Sequence, residues 1–302
     1  MLPKKIFLKD IIIIKLIMVS FLLLIKTSHS IEQYTAHGGP VKGLAVSASN
    51  NLMASASFDY SVVIWDLNPI KEKLTLIGHD AAVNTVKFSP NNDFLASGGD
   101  DNNILLWALK DINNLNEEIQ PIKLGNHRGK IADLEFSNNG RYLISASWDG
   151  TIGVWDIKKR KLINSLVGHK GPVYAVKYSK DNKHIYSSGY DGDIKLWKAN
   201  SGEYVRPIVK NGWGISKFEV DEKLNFIAFG STDGQIKINK FDKDETILNI
   251  KEDRVPILSM YYLENENMIS FGNAKGRMII LDTKKWSLVR DFNAVNGPIW
   301  DN

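Results

Sequence analysis

The stretch "GHKGPVYAVKYSKDNKHIYSSGYDGDIKLW", residues 168–197, decides the fold because its pattern recurs along the chain. It opens on Gly-His, alternates side-chain character from Val173 to Tyr178, turns at Lys180-Asp181-Asn182, and runs on to Ser187. A second turn, Tyr190-Asp191-Gly192, leads into a run that ends on Trp197. Alternation with a period of two is the pattern of a strand, and Asn, Asp and Gly clusters are what tight turns use.

The same order of features stands three times earlier. "AHGGPVKGLAVS" (36–47), "GHDAAVNTVKFS" (78–89) and "NHRGKIADLEFS" (126–137) align with "GHKGPVYAVKYS" (168–179). The alignment places His37, His79, His127 and His169 in one column, at spacings of 42, 48 and 42. Steps of 42 beyond His169 reach Asn211, Asp253 and Val295, each followed by a strand-like run: "GWGISKFEV", "RVPILSMYY" and "NGPIW". The six extra residues of the second interval fall in "ALKDINNLNEEIQPIKL" (108–124), expected on the outer rim, where insertion costs little.

Each unit therefore predicts four short strands joined by tight turns, one antiparallel blade. A blade that small cannot bury both faces alone, so blades must stack around an axis. No long helical pattern competes with this reading. The Gly-His openings, the turn aspartates and the Trp-Asp endings of "VVIWDL" (62–67) and "IGVWDI" (152–157) resemble WD40 repeats over about 270 residues. The resemblance implies an all-β WD40 β-propeller of six complete four-stranded blades starting near 37, 79, 127, 169, 211 and 253, plus an incomplete seventh near 295. The early repeats further resemble exported bacterial WD40 proteins that often carry a C-terminal c-type cytochrome domain.

Four units hold a His, Ser, Asp and Trp at fixed columns: His37, Ser55, Asp59, Trp65; His79, Ser97, Asp101, Trp107; His127, Ser145, Asp149, Trp155; His169, Ser187, Asp191, Trp197. The residue types invite a hydrolase reading. An enzyme needs one such set rather than four, and no oxyanion-hole element accompanies any of them. The WD40 resemblance implies a buried hydrogen-bond network instead, in which Asp accepts from the imidazole, the imidazole meets Ser, and Ser meets the indole N–H. Units five and six replace the columns with Asn211, Phe229, Asp233, Asn239 and with Asp253, Phe271, Lys275, Leu281. Loss of His, Ser and Trp together is what an interdependent network predicts, and those blades are expected to rely on apolar packing.

The first thirty residues have lysines at 4, 5 and 9, an uncharged apolar run from Leu16 to Ile25, and Ser28-His29-Ser30 before the expected cleavage point. They read as a secretory signal (1–30), giving an exported, periplasmic protein whose propeller spans 31–302; the alternative is a membrane anchor facing the periplasm. Removing that leader takes five lysines and one aspartate from 38 basic and 34 acidic residues, leaving 33 of each. A neutral remainder without a basic stripe excludes an electrostatic case for nucleic acid. Cysteine is absent, so no disulfide, thiolate metal site or covalent haem attachment lies in this chain, and no cofactor is expected in it.

Function is thereby expected on the surface of a rigid disc. The resemblance places the interblade loops and the turns between second and third strands on one face. At those turns stand Phe58, Trp148 and Tyr190, with Tyr174, Trp213 and Lys42 in the neighbouring inner-strand openings. These six are the expected partner-binding residues of a non-catalytic scaffold that takes a protein or peptide. The alternative is the propeller half of a periplasmic electron-transfer protein whose cytochrome domain follows residue 302. Finally, Gly297-Pro298-Ile299-Trp300 falls three periods of 42 after Gly171-Pro172-Val173-Tyr174. It reads as the inner strand of the seventh blade, which "IEQYTA" (31–36) would close from outside, so the sequence is expected to be C-terminally truncated. Six blades closing on themselves is the other arrangement.

Overall fold

The alternating runs form antiparallel sheets in which sequence order and spatial order coincide. A computed structural model describes residues 35–301 apart from 48, 111, 113–118, 244, 252, 253 and 296. The expected signal segment, the start of "IEQYTA" and the column residue Asp253 lie outside these residues. Six four-stranded sheets occupy 41–77, 83–126, 131–167, 173–210, 215–251 and 257–293. The fold is an all-β, six-bladed propeller. Among the described residues no helix is long and apolar enough to cross a membrane.

The fourth blade shows why the sequence folds this way. Its strands are Val173–Tyr178, His184–Gly189, Asp193–Lys198 and Tyr204–Lys210, from the channel outwards. Val176 pairs with Ser187 and Ser187 with Lys195, so the two turns set the register that brings the column residues together. The apolar residues of both faces then need neighbours. Ile144, Ile152 and Val154 of blade three pack against Val173, Val176, Ile185 and Trp197 of blade four. Each fully buried aliphatic side chain contributes about 1.5–3 kcal/mol, which is why blades stack instead of standing alone.

Glycine before histidine has a packing reason here. A Cβ on Gly168 would come 2.9 Å from the Trp197 ring, and one on Gly78 would come 2.9 Å from the Trp107 ring. In these two blades the tryptophan lies across the incoming chain, and a residue without a side chain leaves room for it; Ala36 and Asn126 hold the position in units one and three.

The long connection of the second unit joins strands Asn103–Ala108 and Ile122–Asn126 of one blade. Its described residues are anchored. Leu109 and Ile112 are buried in the core shared by blades one and two, with Ile119 packed against it.

Blades five and six are held as the column substitutions suggest. Phe229 and Phe271 are buried where the other blades have serine, and Leu281 is buried in the tryptophan column. Asn239, in the same column of blade five, keeps its side-chain oxygen buried with no hydrogen-bond partner. Beyond blade six, residues 297–301 form no strand ladder. They nevertheless join the two ends of the ring: Ile299 N–H donates to Asn273 O at 3.1 Å, and Asp301 Oδ2 accepts from Leu44 N–H at 2.8 Å.

Restoring the repeat consensus singly in blade five should harm the protein. Phe229→Ser leaves a cavity and an unpaired hydroxyl, so chemical denaturation should show a loss of about 3–5 kcal/mol. A loss below about 1 kcal/mol would mean that packing at this column is not what holds the blade.

Candidate functional site

Two sets of residues carry chemistry: the polar columns inside the first four blades and the loops around the channel mouth. In each column the second strand supplies Ser, the third supplies Trp, and the turn between them supplies Asp. The loop entering the blade supplies His. Imidazole Nδ1 meets the turn carboxylate at 3.0 Å in His37–Asp59, 2.8 Å in His79–Asp101, 3.0 Å in His127–Asp149 and 2.8 Å in His169–Asp191. Nε2 meets Ser55, Ser97, Ser145 and Ser187 Oγ at 2.7, 2.8, 2.7 and 2.7 Å. Trp65, Trp107, Trp155 and Trp197 donate Nε1–H to those same oxygens at 2.8, 2.9, 2.8 and 2.8 Å.

The donor inventory assigns the protons. Indole N–H can only donate, so Ser Oγ accepts from it; with Nε2 assigned as the deprotonated ring nitrogen, the serine gives it its single hydrogen. Nε2 is then an acceptor, the imidazole is neutral, and Nδ1–H donates to the carboxylate. This is the hydrogen-bond order of a Ser-His-Asp triad, with an indole added on the serine. The added group matters, because the four serines are 0–2% exposed and each oxygen is engaged on two sides.

The turn carboxylates have further partners that the column alignment does not include. Ser61 and Thr151 hydroxyls donate to Asp59 and Asp149 at 2.6 and 2.7 Å, and the backbone N–H after each histidine donates as well. A hydroxyl two residues after the turn aspartate was the available signal. Burial alone would raise the Asp59 carboxyl, but hydrogen bonds from Ser61, Gly38 and His37 outweigh it and hold the pKa at about 2. Burial is likewise outweighed at Asp101 by His79 and Asn103, leaving about 2. At His127 burial wins over the attraction of Asp149 and pushes the imidazole down, in keeping with its neutral role.

The channel-mouth face gathers the other candidates. Trp148, Tyr190 and Trp213 are 50%, 64% and 60% exposed, and Phe58 is exposed with them. Trp148 meets Tyr174 edge to face with centroids 6.3 Å apart, and Lys130 Nζ lies 5.5 Å from the Trp148 ring centre. A Cβ on Gly214 would come 3.3 Å from both the Tyr174 ring and Tyr190 Cα, which draws Trp213 into the same arc. Phe58 belongs to a second group across the mouth. There Lys42 Nζ lies 5.2 Å from the Phe58 ring centre and 5.1 Å from that of Trp300, and the two rings are 6.5 Å apart. The six expected residues thus form two aromatic groups, and Trp300, Asn84, Lys130 and Asp100 complete them. Counting by repeat columns finds Trp300, which aligns with Lys42, Asn84 and Tyr174. Among the described residues no group of three or more His, Asp or Glu is arranged to hold a metal ion.

Stacked four-stranded blades around a channel, four of them pinned by the same polar column, define a β-propeller. Residues 17–216, well over half of the chain, match the family described as TEP-1 second beta-propeller, and the chain belongs to that family. The match runs through blade four into the first strand of blade five, so it spans the blades that carry the polar column. No curated protein matches the chain.

Removing the serine should leave both of its partners stranded. Ser145→Ala should cost about 1–3 kcal/mol for each buried group left unpaired, and the loss in Ser145→Ala with Trp155→Phe should be less than the sum of the single losses. Acid should act on the same columns. The folded carboxyl values lie below the unfolded value of about 3.9, so their stabilisation is present above about pH 4 and lost as pH falls towards 2. The depressed His127 favours unfolding in the same direction, beginning below its unfolded value of about 6.5. Melting temperature should therefore fall from pH 7 to pH 3, with a shallower fall in Asp101→Asn.

Proposed function

We propose that the protein is a non-catalytic scaffold, a WD40 propeller that presents the channel-mouth face to a protein or peptide. The observation that carries this reading is the exposure of Trp148, Tyr190 and Trp213 on neighbouring blades of a rigid ring. Rings at turns supply large contact area while freezing few rotors, and residues of this kind anchor interfaces. A scaffold role is favoured over hydrolysis because each column serine is buried and receives an indole N–H, whereas a nucleophile must reach its substrate.

The WD40 assignment draws on the Gly-His and Trp-Asp signatures together with the four completed columns. Export draws on the leader, residues 1–30. Assignment of 297–301 to the inner-strand position of a seventh blade has two supports. Ile299 lies against Gly272 as Ile131 lies against Gly98 and Ile257 against Gly230. Asp301 caps Leu44 N–H as Asp133 Oδ2 caps Val176 N–H, each carboxylate reaching the next blade.

Peptides selected on the intact protein from a random library provide the test. Trp148→Ala with Tyr190→Ala should weaken the selected peptides by tenfold or more, a loss of about 1.4 kcal/mol upwards, without lowering the melting temperature. Unchanged affinity in that double variant would place the binding surface elsewhere.

A further inference from the structure

Lys42, on this face, has no counter-ion among the described residues. Its ammonium lies against two rings and donates to Asn84 Oδ1 at 3.0 Å, and among the described residues it forms no ion pair. The neighbouring carboxylate is already committed: Asp100 Oδ2 pairs with Lys130 at 2.5 Å, and its Oδ1 accepts from Asn84 Nδ2 at 2.8 Å. Asn84 therefore relays between Lys42 and Asp100 without bringing a negative charge to the lysine. An ammonium has three N–H donors, and one of them meets a protein oxygen among the described residues.

The surroundings leave that cation poorly compensated. Burial lowers its pKa; Asp100 opposes the effect, and the charges of Lys130 and Lys217 add to it. Lys217 has Asp133 at 4.0 Å, and Lys130 has Asp100, whereas Lys42 pairs with neither carboxylate. Aromatic rings stand on both sides of the channel, Phe58 and Trp300 beside Lys42, and Trp148, Tyr174, Tyr190 and Trp213 on blades three to five. A chain crossing the mouth meets the lysine and then the aromatic arc.

We propose that Lys42 receives the side-chain carboxylate of an Asp or Glu in an extended partner peptide whose adjacent apolar residues lie on the Trp148–Tyr190–Trp213 arc. This rests on the binding-face reading above and names its partner as an acidic-apolar segment. Carboxylate is the ligand that uses the remaining N–H donors and neutralises the charge, and the Phe58 and Trp300 rings beside the ammonium exclude water from the pair. A basic segment would bring a like charge to Lys42, and a purely apolar one would leave Lys42 uncompensated under it.

The experiment uses the intact protein and a random peptide library, with affinities of individual selected peptides read by fluorescence anisotropy. Selected sequences should be enriched in Asp or Glu next to bulky apolar residues. Changing that acid to its amide in the peptide, or Lys42→Gln in the protein, should weaken binding about tenfold; Lys42→Arg should retain it, and Lys42→Glu should favour a peptide with Lys at the acidic position. Thermal melting identifies a variant that has lost its fold, and the peptide amide measured on unaltered protein then decides. Basic or purely apolar selected peptides that bind through Trp148 and Tyr190, or acidic ones indifferent to Lys42→Gln, overturn the inference while the face stands. Peptides indifferent to Lys42→Gln and to the double aromatic variant, or no selected peptide at all, overturn both readings.

Discussion

One serine oxygen per blade carries the structure of the first four blades. It lies between an indole N–H and an imidazole nitrogen, and it ties the third strand, the second strand and the incoming loop to one point. Each group in that line is buried and polar, so each would be a liability if its partner were missing. The turn carboxylate ends the line at the face where solvent begins, and backbone N–H groups complete its coordination. Strand register, loop entry and turn geometry are thus coupled within a blade.

That coupling explains why the column disappears as a set. Serine without histidine and tryptophan has nothing to bond, so Phe229 and Phe271 fill the space with carbon. Asn239 marks the cost of an incomplete exchange, an amide oxygen buried without a donor. In unit five Asn211 takes the histidine position and accepts instead from Lys237 Nζ at 2.9 Å, a local bond that does not reach the second strand. The two kinds of blade share a backbone and differ in whether direction-dependent or volume-dependent forces hold the interior.

The rigid interior is what makes the mouth informative. Turns fixed from below hold Trp148 and Tyr190 in the open, where a flexible loop would let them collapse onto the surface. The sequence made the polar columns legible because four histidines, four serines and four tryptophans repeat at constant offsets. It did not reveal the Ser61 and Thr151 contributions, since Asn103 and Asp193 hold the same position in units two and four. The repeat also hid the mouth chemistry: Lys42, Asn84 and Trp300 share one column, and its side chains vary from unit to unit.

The sequence by itself determined the architecture, because alternation, turn residues and a period of 42 each describe short-range chemistry that any one unit states alone. It also determined which blades have a polar interior, since that network closes within about thirty consecutive residues. Only the tertiary structure decided the face. Whether Lys42 has a counter-ion depends on Asp100 being taken by Lys130 and Asn84, and those residues come from three blades. The grouping of Phe58 with Trp300 joins opposite ends of the chain, 6.5 Å apart in space. Contacts of that kind follow from how the ring brings its ends together, and no single repeat contains them.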